Sequence, residues 1–287
     1  MRKNPYLKQE QEFRPLLMRG SLGNTFLNTD AQTRQALLDL TTETSKKTYD
    51  LNGVSFDMVL APPLGIDGGL PIIKNVEMCT TECTQELFEG VMGFNYSRRK
   101  LKPDKAKRPV ERVTWFDCIS FCNKLSALFG YAPYYDVDIL LLHSKDTPRS
   151  IEDAEVNIIG GNGFRLPTEE EWLAFEKAGT ENEWSGTNVE EEVEDYAWYE
   201  ENSNFETHPV ATKKPNEWGM YDMSGNVWEW CWDKEDITDT HTSASRVNRG
   251  GSWNTPSWIL CLADRHNNSP RHRSDDLGFR FARTIEQ

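Results

Sequence analysis

The chain is poor in histidine, with 5 in 287 residues, and none stands in the HxxxH or HExxH spacing that holds a catalytic zinc. Its six cysteines, Cys79, Cys83, Cys118, Cys122, Cys231 and Cys261, contain no CxxC step. Both CxxxC pairs lie among apolar residues, which reads as buried free thiols rather than a disulfide frame or a zinc knuckle. Positive charge is short as well: 32 Lys and Arg against 46 Asp and Glu leave a formal charge of -14. Such a field repels nucleic acid and anionic membrane, so neither is an expected partner. No run approaches the roughly 20 apolar residues of a membrane span. The opening MRKNPYLKQEQEF has no apolar signal core, although a processed or trimmed secreted protein would read the same. No 20–50-residue period occurs, which excludes solenoids and propellers. GxSxG, P-loop and paired-carboxylate patterns are absent too.

Tryptophan is plentiful, and ten of them with 37% hydrophobic residues argue for a folded globule. Residues 1–50 read as an N-terminal arm, in which TDAQTRQALLDLTTET sets Ala31, Leu37, Leu38 and Leu40 on a short helix capped by Asp30. A packed arm and a tether to an anchor are both open. From residue 51 to 287 short strands and isolated helices alternate with Gly, Pro and Asn, the pattern of an α+β domain. PVERVTWFDCISFCNKLSALFG holds one helix, with Asp117 near its positive end and Phe116, Cys118, Ile119, Phe121, Cys122, Leu125 and Leu128 on its apolar side. FRLPTEEEWLAFEKAG holds the other: Thr168 caps, Glu171 completes a capping box, Gly179 closes, and Trp172, Phe175 and Ala178 face inward. The acidic run ENEWSGTNVEEEVEDYAWYEENSNFE reads as solvated surface. In GMYDMSGNVWEWCWD a strand puts Val227, Glu229 and Cys231 on one face and Trp228, Trp230 and Trp232 on the other. Three tryptophans on one face make a structural centre.

The succession FDMVLAP, PVERVTWFDCISFCNKLS, GFRLPTEEEWLAFEKAG, YDMSGNVWEWCWD, RVNRGGSW and LGFRFAR, over about residues 53–283, resembles the formylglycine-generating enzyme (sulfatase-modifying factor) family. The resemblance implies a C-type lectin-like fold with small twisted antiparallel sheets, two main helices and many loops. It also implies what an active member needs, two cysteines shortly after GGS that bind copper as soft thiolates. Here GGSWNTPSWILCLADR offers Cys261 alone, so no catalytic residue is carried over and no cofactor is required. The family's calcium site would map onto Asp222 and Glu229 by side chain and Gly225 and Val227 by carbonyl, oxygen ligands of the hard kind that calcium takes. The alternative is that Asp222 and Glu229 only hydrogen-bond the turn.

Residues 246–283 also resemble the variable region of a diversity-generating retroelement protein, a C-type lectin-fold binder whose gene is rewritten at template adenines. Arg265, Pro270, Arg273 and LGFR fall at that frame's fixed places. The genetic code offers a check. An asparagine codon altered only at its two adenines cannot become Lys, Glu, Gln, Met or Trp. Those first four types make up roughly one residue in five elsewhere, yet none occurs from Asn254 to Asp276. Trp258 alone falls outside the accessible set and need not be a varied position.

The favoured expectation is therefore a non-enzymatic, receptor-like protein. Its candidate binding residues are Asn254, Thr255, Pro256, Ile259, Cys261, Asp264, His266, Asn267, Asn268, Ser269, Arg271, His272, Ser274, Asp275 and Asp276. They mix adaptable polar groups, charge and apolar anchors as a paratope does, and their side chains are expected to point outward. The partner is a protein or other surface ligand of unknown identity. Resemblance implies a bacterial or phage setting with display on the cell surface, as in spirochaetes, while the lack of a signal leaves a cytoplasmic or trimmed form open. Two other readings stand beside it: an oxidase of the formylglycine-generating type with an altered metal site, and a fixed-sequence lectin-fold accessory domain.

Overall fold

The computed structural model describes residues 44–62, 75–98, 101–142, 151–236, 238–239, 241, 244–261 and 264–285. The expected helix with its Asp30 cap lies outside them. The first strand, β1 (Ser45–Leu51), starts six residues ahead of the expected domain boundary at 51. It turns through Asn52 and Gly53, both at positive φ (54° and 88°), into the antiparallel partner β2 (Val54–Leu60). Asn-Gly suits this two-residue hairpin because its turn needs left-handed backbone twice. β3 (Val76–Cys79), β6 (Phe164–Arg165) and β11 (Ala282–Thr284) complete a five-stranded sheet in the order β1-β2-β3-β11-β6. A second sheet has the order β10-β7-β8-β9, from β7 (Trp228–Lys234), β8 (Arg246–Arg249), β9 (His266–Asn268) and β10 (Leu277–Gly278). Only the short β10–β7 pair there is parallel. β4 (Tyr135–Leu142) and β5 (Ile151–Ile158) form a separate hairpin.

Helix α1 (Gln85–Met92) starts at the Thr84 cap and ends at left-handed Gly93. The two main helices begin where capping chemistry puts them. α2 (Trp115–Leu128) has a full capping box between Thr114 and Asp117, and α3 (Glu169–Lys177) has one between Thr168 and Glu171. Each box satisfies two amides that helical bonding leaves open. Ala178, not Gly179, is the residue that turns α3 off, at φ 46°; Gly179 follows it at 82°. Leu128, placed on the apolar side of α2, is 54% exposed at the helix end.

Phe56, Phe88, Phe121, Phe164, Phe279 and Phe281 fill the space between α1, α2 and the five-stranded sheet. Trp172 and Phe175 of α3 meet Met78, Trp218 and Val247 in a second core. The β7 alternation holds only in part. Val227, Glu229 and Cys231 are fully buried, and so is Trp230, but Trp228 and Trp232 are half-buried. Trp232 packs on Tyr135 and Trp115 at centroid distances of 5.0 and 5.2 Å, whereas Trp228 borders solvent beside β9. The strand is thus covered on both faces at its middle and opens at its ends.

The acidic run is a larger departure. Trp184, Val193 and Ala197, the latter two around α4 (Val193–Tyr196), form a third core with Leu260. Its carboxylates are exposed apart from Glu206, which pairs with Lys102 and Arg108, but its backbone is a support for the C-terminal segment.

Candidate functional site

Residues 249–276 lie across the N-termini of both main helices. At the start of α3, Glu169 receives Arg249 Nε and Arg265 Nε, each at 2.8 Å. At the start of α2, the Trp115 amide donates to Pro270 O at 3.0 Å. Arg273 there pairs with buried Asp117 at 2.8 Å and donates to Arg112 O at 2.6 Å. A helix start offers unpaired amides and a positive end, so carbonyls and carboxylates gather there. Trp253 joins the two ends of the segment: its amide donates to Asn226 O at 2.9 Å and its indole to Asp275 O at 3.0 Å. From the acidic run, Trp184 Nε1 donates to Ser257 O, Glu200 N to Thr255 O and Ser203 Oγ to Trp253 O. Gly251 at φ 72° lets the chain pass Leu260, whose Cδ2 would stand 2.5 Å from an added Cβ.

On this frame Asn254, His266, Ser269, Arg271 and His272 are exposed. Pro256, Ile259, Cys261, Asp264, Asn267, Asn268, Ser274, Asp275 and Asp276 are half-buried. Thr255 corrects the expectation that all these side chains face out: it is 5% exposed. Its Oγ1 accepts from Ser252 N at 3.0 Å and shares a hydrogen bond with Ser252 Oγ at 3.0 Å. A side chain folded back to hold its own turn presents little of its surface to a partner. Most of the candidate residues border one cavity of about 380 Å³ that also takes in Trp228. Cys261, Asn267, Ser269, Arg271 and Asp275 do not border it. Trp258, set aside as unvaried, stands 69% exposed on the short turn Ser257–Ile259, at the edge of the same surface.

Charged side chains organise the GNVWEW turn. Arg280, fully buried, donates to both oxygens of Glu229 at 2.6 Å, and Trp172 Nε1 donates to Glu229 at 2.7 Å. Glu82 accepts from Val227 N and Asn226 Nδ2, and Gly225 N donates to Gly250 O. Burial, with Asp222 and Glu229 near, holds the Glu82 carboxyl well above the usual carboxylate range. Of the calcium ligands implied by resemblance, Glu229 is already held by the Arg280 guanidinium. Asp222 keeps one buried oxygen, Oδ1, without a hydrogen-bond partner, so the hydrogen bonds of the turn do not use the whole of the implied set.

Cys79, Cys83, Cys118, Cys122 and Cys231 are buried, and Cys261 is half-buried. Burial pushes the Cys79 thiol up to about 11 and those of Cys83, Cys118 and Cys231 well above the ordinary value. That disfavours the thiolate a soft metal needs.

Residues 41–285 match the model of the Sulfatase-modifying factor enzyme 1-like domain. The chain belongs to this family. Within the sulfatase-modifying factor fold, which is C-type lectin-like, it is similar to Treponema denticola variable protein 1. The two share 38% identity with a TM-score of 0.71 over 84% of this chain and 99% of that one. It is also similar to the chaperone protein LppX of Paenibacillus barcinonensis, 36% identical over 60% of this chain and 67% of the relative. The formylglycine-generating enzyme of Streptomyces coelicolor is 32% identical over 42% of this chain and 46% of that enzyme. Among the described residues no helix is long and apolar enough to cross a membrane.

Proposed function

We propose that this protein is a non-enzymatic ligand-binding member of the family, whose surface between Asn254 and Asp276 is diversified by retroelement-directed adenine mutagenesis. One observation carries the reading. Arg265, Pro270 and Arg273, at the frame's fixed places, tie into the scaffold at the helix starts, and Leu277 to Arg280 are buried. The candidate binding residues of the segment are exposed or half-buried, Thr255 excepted. A scaffold that must tolerate exchange needs this division, because buried substitutions cost far more than exposed ones. Likeness to a variable protein over almost its whole length supports it. Display on a bacterial surface, with a protein or other surface ligand as partner, belongs to the same proposal.

Sequencing the locus and its siblings tests it. A near-identical template repeat beside a reverse transcriptase, with sibling differences confined to template adenines, is expected; differences spread equally over other bases would refute it. Family membership favours a second reading, oxidation of a peptide cysteine, and Cys261 would have to serve it without a neighbouring thiol. Copper-dependent oxygen uptake on a cysteine peptide, unaffected by Cys261→Ser, would exclude Cys261 from that role; no uptake at all would remove the reading.

A further inference from the structure

Charge within the C-terminal segment is not balanced internally. Arg265, Arg271 and Arg273 are each paired with a scaffold carboxylate, on Glu169, Asp153 and Asp117. Asp275 is paired with Arg98. Asp264 and Asp276 are left: neither carboxylate has a hydrogen bond or ion pair with a described residue. Both are half-buried and border the cavity of about 380 Å³. Trp228 and His266 form an aromatic wall of that cavity, with ring centroids 5.5 Å apart.

Partly desolvated carboxylates without a counter-charge favour a cation brought from outside. An indole wall beside them suits a cation on an apolar stem, through its ring face and through contact with the stem. The cavity's volume of about 380 Å³ has room for one long side chain. The net charge of -14 adds a long-range pull on basic partners. We infer that this cavity receives an arginine or lysine side chain projecting from a partner protein. Arginine fits better, since its planar guanidinium can stack on the indole while donating to two carboxylates. The inference rests on the binding reading above and names the chemistry of its ligand.

Panning a random peptide display library on the full chain and on its Asp264→Asn/Asp276→Asn variant tests this, with a urea melt confirming that the variant folds like the parent. Peptides selected on the parent should carry an invariant arginine or lysine. They should bind the double variant at least about tenfold more weakly, and lose as much when that arginine is replaced by neutral citrulline. Peptides that lose affinity on Trp258→Ala, yet carry no basic residue and ignore the double substitution, would overturn the inference and leave the binding surface standing. Peptides that bind all these variants alike would overturn both. Spermidine displacing the peptide at concentrations below the peptide's own Kd would overturn the choice of a protein side chain over a free polyamine.

Discussion

Replacing Thr255 by valine removes one hydroxyl from a buried site and leaves the shape of the side chain nearly unchanged. The lost Oγ1 is the acceptor for the Ser252 amide at 3.0 Å. Ser252 Oγ keeps Asn254 Oδ1 at 2.7 Å, so the Ser252 N–H is the group left without a partner. An unsatisfied buried donor costs about 1–3 kcal/mol. Changing His266, Ser269 and His272 together to asparagine touches three exposed positions, each worth at most about 0.5 kcal/mol. Summed as independent sites they remain below about 1.5 kcal/mol. One conservative change at Thr255 should therefore match or exceed three radical ones nearby. Equilibrium urea unfolding read at a shared m-value measures both. A triple variant that loses more than about 3 kcal/mol, or a Thr255→Val variant that loses nothing, would refute the division of this segment into a fixed frame and an exchangeable surface.

Arg273→Ala strips the counter-charge from Asp117, whose side chain is 1% exposed. It should cost about 2–4 kcal/mol, seen as a lowered thermal midpoint. Gly225→Ala sets a Cβ 2.3 Å from Trp198 O at a φ of +87°; a loss of at least about 2 kcal/mol in the same assay is expected. Burial pushes the Glu176 carboxyl well above the usual range, with Arg249 offsetting it only in part. The folded protein keeps a proton there that the unfolded chain has released, so this contribution is full below the unfolded carboxyl's ordinary value, near pH 4, and is lost as pH rises through the raised one. Glu176→Gln should accordingly match the parent at pH 4 and exceed it at pH 8, as urea midpoints across that range would reveal. Equal midpoint differences at both ends would contradict it.

Local signals are legible wherever one residue type performs one local task. Thr114 with Asp117 and Thr168 with Glu171 announce helix starts, and the succession of motifs from FDMVLAP to LGFRFAR announces the fold family. What escapes a linear reading is long-range. Trp184, Val193 and Ala197 sit inside an acidic run whose composition points to solvent, and their core exists only because Leu260 arrives from the C-terminal segment to cover them. The i, i+4 spacing of Val193 and Ala197 is the available hint. Thr255 satisfies the codon rule and is still buried, since the code constrains what a position can become and says nothing of where it points. Alternation with Trp230 and Trp232 assigns Trp228 to the core, whereas strand ends are uncovered in ways a period of two cannot express. The partner of Glu229 is hidden for the same long-range reason, since Arg280 lies 51 residues away.

The Trp253 indole bond to Asp275 O spans 22 residues. Closing a loop of that length carries an entropic cost that grows only slowly with length, and here it is met during folding. Binding then need not order the backbone, which is one of the main terms opposing affinity in flexible loops. Under the proposed diversification, each new set of side chains would inherit a closure already made, so library variants could be compared as different faces on one stamp.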